Sequence, residues 1–312
     1  MSLLHGVVFR ALMKNRRDHV PGGTKDYEAE RAREIATTAY VRIPKGVSLR
    51  REPLGGVETE WVEKTGNPAD RIVLYIHGGG FVTGSSEARR GFTAYIAGKL
   101  GFNVASLDYR LAPEHPFPAG PEDCLMAYRA LLERYEADRI LLLGESAGGN
   151  LVLSLLVQIK QSGLPFPAAS FAIAPAVQFD RELPSYRDNL PTDCIVGDLS
   201  GEVQDVYLCS KDETVLQNPV ASPLYGDFRG CTPVVLWASE AEVLLDDSLL
   251  MFDALKAQGV TAKLYLRAGM MHTWLIVPEF AESKKDLQTL GKDMRLAFDR
   301  ALETVGGPIR PA

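Results

Sequence analysis

The stretch "LLLGESAGGNLVLSLLVQ", residues 141–158, places a glutamate and a serine between glycines directly after an apolar run. Glycine destabilises both strand and helix interiors, so these glycines need a structural reason. The pattern G-x-S-x-G between a strand and a helix is typical of a nucleophile elbow, a tight turn whose neighbours must be small. We therefore interpret Ser146 as a nucleophile presented at the end of a strand. Glu145 is interpreted as a brace that hydrogen-bonds neighbouring loops.

A second glycine-rich stretch, "HGGGF" at residues 77–81, follows the buried-type strand "RIVLYIH". Three successive glycines leave backbone amides uncovered, and such amides can donate hydrogen bonds to an oxyanion. Glycine loops also bind phosphates, but this chain has neither G-x-G-x-x-G nor G-K-[ST] here. We predict an oxyanion-binding loop, with His77 as a brace rather than a base.

The general base follows from the order of residues along the chain. In the α/β-hydrolase fold, to which these two motifs point, the serine comes first, then the acid, then the histidine. Of the five histidines, only His272 follows Ser146. It lies in "RAGMMHTW", after the last predicted strand. We predict that His272 takes the proton of Ser146.

The acid that orients this histidine should follow the strand "TPVVLWAS". Four carboxylates do so: Glu240, Glu242, Asp246 and Asp247. Asp246 and Asp247 fall among apolar residues at helical spacing, which assigns them to the next helix. Glu240 is close to the strand end and can point elsewhere. Glu242 is therefore our predicted acid, with Asp246 as the alternative.

The rest of the chain predicts the architecture. From about residue 71, apolar runs alternate with helical patterns, which indicates a mostly parallel, twisted sheet flanked by helices. "VSLRREPL" and "VETEWVEK" predict an antiparallel pair before it. Residues 176–217 contain no clear strand and are interpreted as an insertion. We predict a catalytic α/β core over 46–175 and 218–312, and a helical cap from 1–45 and 176–217.

Composition restricts the partners. A net charge of −6 on 312 residues offers no basic surface for a nucleic acid. No apolar run approaches the ~18 residues of a membrane span, so we predict no stable membrane insertion. The four cysteines lack metal-binding and redox spacing, which predicts free thiols, no metal site and a cytoplasmic location.

The apolar stretch over residues 3–13 has helical spacing. We expect a helix that packs on the body of the protein. The alternatives are a roof over the site and a contact with a membrane surface.

Taken together, these motifs resemble the hormone-sensitive-lipase-like branch of the α/β-hydrolases, the bacterial family IV carboxylesterases. The resemblance spans about two-thirds of the chain and is carried, in family order, by "HGGGF" (77–81), "DYRLAPEHPFPA" (108–119), "GESAGGN" (144–150), "SPL" (222–224), "SEAEVLLDD" (239–247) and "GMMHTW" (269–274). Two departures stand out. Glutamate occupies positions 145 and 242, where the family commonly has aspartate, and Val243 replaces the proline that usually follows the acid.

The resemblance implies roles for individual residues. Ser146 would be the nucleophile and His272 the base, and the amides of Gly79, Gly80 and Ala147 would form the oxyanion hole. No cofactor is implied. A helical cap over the site is implied. Many members form homodimers, often through the last strand and its neighbouring helix, and "AKLYLRAG" would be that edge strand here.

Further residues are predicted around this centre. The stretch after residue 107 is interpreted as a buried polar network that fixes the oxyanion-binding loop, made of Asp108, Tyr109, Arg110, Glu114 and His115. The residues predicted to line the substrate pocket are Phe9, Phe81, Tyr186 and Trp274.

The predicted function is hydrolysis of short- to medium-chain carboxylic esters, the chain length being implied by the resemblance alone. One alternative is the same machinery acting on a lactone, an amide or a carbamate. Another is a ligand-binding module on an inactive scaffold, which the presence of both Ser146 and His272 disfavours.

Overall fold

The computed structural model describes residues 2–17, 26–37, 42–197, 203–300, 302–303 and 306–311. Its centre is an eight-stranded sheet of β1 (Val47–Arg51), β2 (Thr59–Lys64), β3 (Ile72–Ile76), β4 (Val104–Leu107), β5 (Ile140–Glu145), β6 (Ala169–Ile173), β7 (Val234–Ser239) and β8 (Ala262–Arg267). The strand order is β1-β2-β4-β3-β5-β6-β7-β8. Strand β2 pairs antiparallel with β1 and β4, and the other pairings are parallel. The predicted fold class and antiparallel pair are confirmed.

Helices connect the strands and cover the sheet: α1 (Leu3–Arg17), α2 (Tyr27–Thr37), α3 (Arg90–Tyr95), α4 (Ala119–Leu132), α5 (Ala147–Gln161), α6 (Pro184–Asp188), α7 (Glu213–Leu216), α8 (Leu245–Ala257) and α9 (Ala281–Phe298). A π-helical turn over Ile96–Leu100 continues α3. For the C-terminal helix, the sequence pattern predicts a span from about residue 281 to about 304, whereas α9 ends at Phe298.

The sheet separates two apolar cores. Strands β3 and β5 are buried on both faces, as expected for the middle of a parallel sheet. Alternate residues of β3 enter different cores, because successive strand side chains point to opposite faces. Leu74 joins the core under α4, α5 and α8, whereas Val73 and Tyr75 join the core under α3 and α9. Because β3 to β8 pair in parallel, their carboxyl ends lie together along one side of the sheet.

Helix α1 packs against the start of α9. The hydroxyl of Ser2 donates to Glu282 Oε2 at 2.8 Å, and the His5 ring stacks on Phe280 with centroids 4.7 Å apart. Leu3 and Val7 remain exposed on its outer side. These contacts agree with the expectation that the N-terminal helix packs on the body. No described helix has the length and apolarity needed to cross a membrane.

The predicted insertion over residues 176–217, called the cap segment below, contains α6, α7 and a π-helical turn over Val203–Tyr207. Its described residues form no strand. Parts of the predicted cap, residues 18–25, 38–41 and 198–202, lie outside the described residues.

Candidate active site

The turn between β5 and α5 holds Ser146 in a strained backbone conformation. Its φ is 55° and its ψ −121°, values that a non-glycine residue rarely adopts. The flanking glycines permit close approach, since a Cβ at Gly148 would overlap the carbonyl oxygen of Ile76 and one at Gly144 the backbone of Gly148. The amide of Ser146 donates to Ile173 O at 2.8 Å, which ties the turn to β6. The geometry is that of a nucleophile elbow.

His272 lies in the loop after β8 and makes a short hydrogen bond through Nδ1 to Glu242 Oε2. Both side chains are buried, and His272 lines the same cavity as Ser146. A carboxylate at Nδ1 fixes the tautomer in which Nδ1 carries the proton, which leaves Nε2 free to accept one. Burial alone would lower the pKa of His272, but the Glu242 carboxylate outweighs it and raises the pKa above the ordinary value of 6.5.

Glu242 is held by the loop after β7. Its Oε1 accepts a hydrogen bond from the Ser239 amide at 2.6 Å, and the next amide along, that of Val243, donates to Asp193 Oδ2 at 3.0 Å. Burial raises the pKa of Glu242, and the contacts with His272 and Ser239 oppose that shift. The glutamate therefore occupies a site built to keep its carboxylate against the imidazole.

The other carboxylates considered for this position face elsewhere. Glu240 binds Arg310 at 2.8 Å. Asp246 accepts from the Ser185 amide at 2.8 Å and so attaches α6 to the first turn of α8. Burial raises the pKa of Asp247 to about 7, and its carboxylate accepts from the Tyr186 hydroxyl at 2.7 Å.

The loop over residues 77–84, called the oxyanion loop below, passes in front of Ser146. Gly79 has a φ of 125° and Gly80 a φ of 61°, and a Cβ at Gly79 would overlap the backbone of Thr83. Within the described part of the chain, the amides of Gly79 and Gly80 donate to no protein acceptor. Two adjacent amides without a protein acceptor, in the cavity that Ser146 also lines, are able to donate hydrogen bonds to an oxyanion.

Glu145 holds the start of this loop through hydrogen bonds. Its Oε1 accepts from the Gly78 amide at 2.7 Å and from Arg89 Nε at 2.8 Å, and its Oε2 accepts from the Tyr75 hydroxyl at 2.5 Å. Glu145 and Glu242 have different partners, so the two unusual glutamates act at separate places.

His77 and its neighbours hold the start of the same loop. Burial lowers the pKa of His77, so the ring is neutral and Nδ1 donates to Gly78 O at 2.8 Å. Tyr109 stacks on that ring with centroids 4.4 Å apart and donates its hydroxyl to His77 O at 2.9 Å. Asp108 accepts from the Ser86 amide at 2.5 Å.

The predicted polar network after residue 107 is smaller than expected. Arg110, Glu114 and His115 are exposed rather than buried. Arg110 pairs with Asp123, and Glu114 with Arg31 of α2. The sequence pattern of charges and prolines does not reveal which side chains turn to solvent.

A cavity of about 390 Å³ opens in front of Ser146. It is lined by Glu30, Glu34, residues 78–83, Arg89, residues 145–147, Ala176, Gln178, Phe179, Arg181, Tyr186, Ile195, Val196, Val203, Gln204, Leu244, His272 and Thr273. Helix α2, the oxyanion loop and the cap segment thus form most of its wall. The predicted wall residues Phe81 and Tyr186 belong to it.

Two predicted pocket residues lie elsewhere. Trp274 is fully buried in the core under α9, where it packs on Trp237 and donates Nε1 to Asp286 at 2.9 Å. Phe9 is half-buried on α1 against the same core, outside the cavity. Both are aromatic residues near a motif or in a predicted cap helix, and sequence proximity alone does not fix the direction of a side chain.

Sequence reasoning missed four charged residues of the wall, Glu30, Glu34, Arg89 and Arg181. Two of them, Arg89 and Glu34, contact each other. They form an ion pair with 2.5 Å between Arg89 Nη1 and Glu34 Oε1. No motif marks either residue, because their contact depends on how α2 is placed over the sheet.

Fold and site together define an α/β hydrolase. Residues 73–276 match the protein family described as having the α/β hydrolase fold, and the chain belongs to that family. Within it, the chain is a member of the hormone-sensitive-lipase-like branch, the family IV carboxylesterases. It is a hydrolase of the carboxylesterase class that acts on esters.

Two relatives illustrate the similarity. An acetyl-hydrolase of Streptomyces hygroscopicus is 31% identical over 275 residues, which cover 85% of this chain and 90% of the relative. The esterase LipU of Mycobacterium tuberculosis is 30% identical over 274 residues, 84% of this chain and 92% of the relative.

Solved structures agree. The crystal structure of an esterase from the bacterial hormone-sensitive lipase family has a TM-score of 0.87 at 32% identity, covering 96% of this chain and 99% of that one. That of EstE5, soaked with p-nitrophenyl butyrate, has a TM-score of 0.87 at 31% identity, covering 96% and 100%.

Proposed function

We propose that this carboxylesterase cleaves short- to medium-chain esters through an acyl-enzyme on Ser146. The observation that carries the proposal is the buried pairing of Glu242 with His272 Nδ1, because His272 lines the same cavity as the strained Ser146. That pairing leaves Nε2 of His272 free to accept a proton.

The first half of the reaction forms the acyl-enzyme. Ser146 Oγ attacks the carbonyl carbon of the ester while His272 Nε2 takes its proton, and Glu242 stabilises the resulting imidazolium. The negative charge moves to the carbonyl oxygen, which the amides of Gly79, Gly80 and Ala147 would bind. Each such donor lowers the barrier by roughly 3 kcal/mol. The tetrahedral species then collapses, and His272 returns the proton to the leaving alcohol.

The second half releases the acid. Water attacks the acyl-enzyme as His272 takes one of its protons, the same amides bind the oxyanion, and collapse expels Ser146 Oγ, which regains its proton from His272. Every proton taken is returned, so the cycle needs no cofactor.

The preferred length of the substrate's acyl chain is proposed from the residues that line the cavity. Its volume is small for a binding site, and much of its lining is apolar, including Phe81, Phe179 and Val203. Such a wall favours acyl chains of a few carbons. We propose further that α2 and the cap segment together act as the cap.

Location and assembly are also proposals. The four cysteines are free, which supports the cytoplasm, a reducing compartment, as the location. A homodimer through β8 is supported by the position of this strand at the edge of the sheet.

The direct test is Ser146→Ala. We expect kcat for p-nitrophenyl butyrate to fall at least about 10⁴-fold, because the nucleophile is lost while the fold is kept. Circular dichroism checks the fold. Retention of more than about a tenth of the wild-type rate would remove Ser146 as the nucleophile.

A further inference from the structure

A single guanidinium joins the wall of the cavity to the nucleophile elbow. The Arg89 side chain is only 12% exposed and lies between two carboxylates. Its Nε donates to Glu145 Oε1 at 2.8 Å, and its Nη1 donates to Glu34 Oε1 at 2.5 Å. Glu145 directly precedes Ser146, whereas Glu34 belongs to α2. Arg89 therefore connects two elements that are distant in sequence.

The connection continues into the oxyanion loop. The Glu145 oxygen that binds Arg89 also accepts from the Gly78 amide at 2.7 Å. Gly78 directly precedes the two amides of Gly79 and Gly80. The Glu145 carboxylate therefore positions the start of the segment that carries these two amides.

Helix α2 also holds the far side of this segment. Arg31, one turn before Glu34, donates Nε to Val82 O at 2.7 Å and Nη2 to Ala112 O at 2.8 Å. The segment from Gly78 to Val82 is therefore fixed at both ends by contacts that lead to α2.

Charge explains why Arg89 is needed at this place. Burial alone would lower its pKa, but Glu145 and Glu34 raise it above the usual value for arginine, so the guanidinium stays charged. Without it, Glu145 would be left buried and partly uncompensated, which is unfavourable. The carboxylate would then take up a proton or move, and the Gly78 contact would be disturbed.

We propose that Arg89 is a positioning residue for the oxyanion hole, and that α2 sets the geometry of its amides through Glu34, Arg89 and Glu145. This inference rests on the proposed function, since those amides act only if a tetrahedral oxyanion forms. The amides contact the oxyanion in the transition state, so a small displacement lowers kcat more than it changes KM.

The test compares Arg89→Met with Arg90→Met. Arg90 is the next residue, binds Glu60 at 2.7 Å and Glu87 at 2.8 Å, and lies outside the cavity wall. It is a matched control for the loss of an arginine from a two-carboxylate cluster. The measurements are kcat and KM for p-nitrophenyl butyrate, and Ki for a trifluoromethyl ketone, whose adduct with the serine places an oxyanion in the hole.

We expect Arg89→Met to lower kcat at least about 30-fold with KM changed less than about threefold, and Ki for the ketone to rise by the same factor as kcat/KM falls. Arg90→Met should change kcat less than about threefold. Arg89→Lys should be intermediate, because lysine lacks the fork that reaches both carboxylates.

Several outcomes would overturn the proposal: kcat of Arg89→Met within about threefold of wild type, equal losses in Arg89→Met and Arg90→Met, or a loss of kcat with Ki unchanged. If Arg89→Met fails to fold, Glu34→Gln decides, since a parallel change of kcat and Ki supports the proposal and no change overturns it. An active Ser146→Ala would instead overturn the proposed function. An inactive Ser146→Ala with an unaffected Arg89→Met overturns the positioning role alone.

Discussion

At the scale of single residues, the structure answers why Glu242 and not Asp246 faces the histidine. Glu242 contacts His272 and the Ser239 amide, whereas the Asp246 carboxylate accepts a hydrogen bond from the Ser185 amide. The loop that carries Glu242 is held by the cap segment, since Asn189 donates to Glu242 O at 2.9 Å and Asp193 accepts from the Val243 amide at 3.0 Å.

This difference predicts the ranking of two amide substitutions. Glu242→Gln should lower kcat by about 10³- to 10⁴-fold, because a glutamine stabilises neither the required tautomer nor the imidazolium. Asp246→Asn should lower kcat less than about tenfold and chiefly affect stability, since it removes one charge from a hydrogen bond that attaches α6. Steady-state kinetics with p-nitrophenyl butyrate measure both. The reverse ranking would transfer the role of acid to Asp246.

The raised pKa of His272 predicts the pH dependence. The base must be neutral, so activity is lost as pH falls through the pKa of His272, and the acid limb of kcat/KM should lie above 6.5. In Glu242→Gln the carboxylate that raises this pKa is gone while the burial that lowers it remains. The limb should therefore move to lower pH even though the rate is smaller. A profile from about pH 4 to pH 9 tests this, and an unmoved limb would contradict it.

Residues recognisable from sequence were those fixed by local geometry. Ser146 could be located because G-x-S-x-G marks its turn, and His272 because chain order leaves no other histidine after it. Arg89 could not be, since its role depends on α2 meeting the sheet. Trp274 was misplaced because a loop of known position still leaves the side-chain direction open.

At the scale of elements, periodicity was sufficient to find the strands and most helices. The continuous apolar runs of β3 and β5, and the helical spacing of apolar residues after Ser146, can be recognised from neighbouring residues alone. The end of α9 was predicted too late, since nothing in its pattern marks the stop at Phe298. Which N-terminal helix meets the cavity was also hidden: Glu30 and Glu34 of α2 line it, and the described residues of α1 do not.

Because the described residues of α1 do not line the cavity, a substitution on α1 and one in the cavity wall should have different effects. Phe179 lines the cavity and packs edge-on against Phe81 with centroids 6.1 Å apart. Phe179→Ala should enlarge the cavity and raise kcat/KM for p-nitrophenyl octanoate relative to the acetate by about three- to tenfold. His5→Ala, which removes the stacking on Phe280, should leave this ratio unchanged and lower the free energy of unfolding by about 1–3 kcal/mol.

A chain-length series measures the ratio, and urea denaturation measures the free energy. A shift of chain preference in His5→Ala, with none in Phe179→Ala, would instead make α1 the roof of the site.

At the scale of the whole molecule, the alternation of strands and helices predicted the sheet but not its order. Placing β4 between β2 and β3 depends on crossovers that no single segment encodes. The sheet brings the loops after β3, β5, β7 and β8 to one edge, so residues as far apart as Gly78 and Thr273 reach one cavity.

The last strand shows what sequence could not reveal about assembly. Strand β8 is an edge strand, as expected, but the C-terminal segment already pairs with it. The Leu266 amide donates to Ile309 O at 2.8 Å and the Ile309 amide to Leu264 O at 2.7 Å. This segment covers part of the edge that a second copy would use. The homodimer therefore remains a prediction, and it requires either the uncovered part of β8 or displacement of this segment.

In the mechanism proposed for the whole molecule, Ser146 carries the acyl group. The most direct measurement is labelling of the intact enzyme with a fluorophosphonate, followed by peptide mapping in a mass spectrometer. We predict one phosphonyl group per chain, located on Ser146, with activity lost in proportion to labelling. A label on another residue, or an enzyme that still hydrolyses p-nitrophenyl butyrate when Ser146 is fully labelled, would contradict this mechanism.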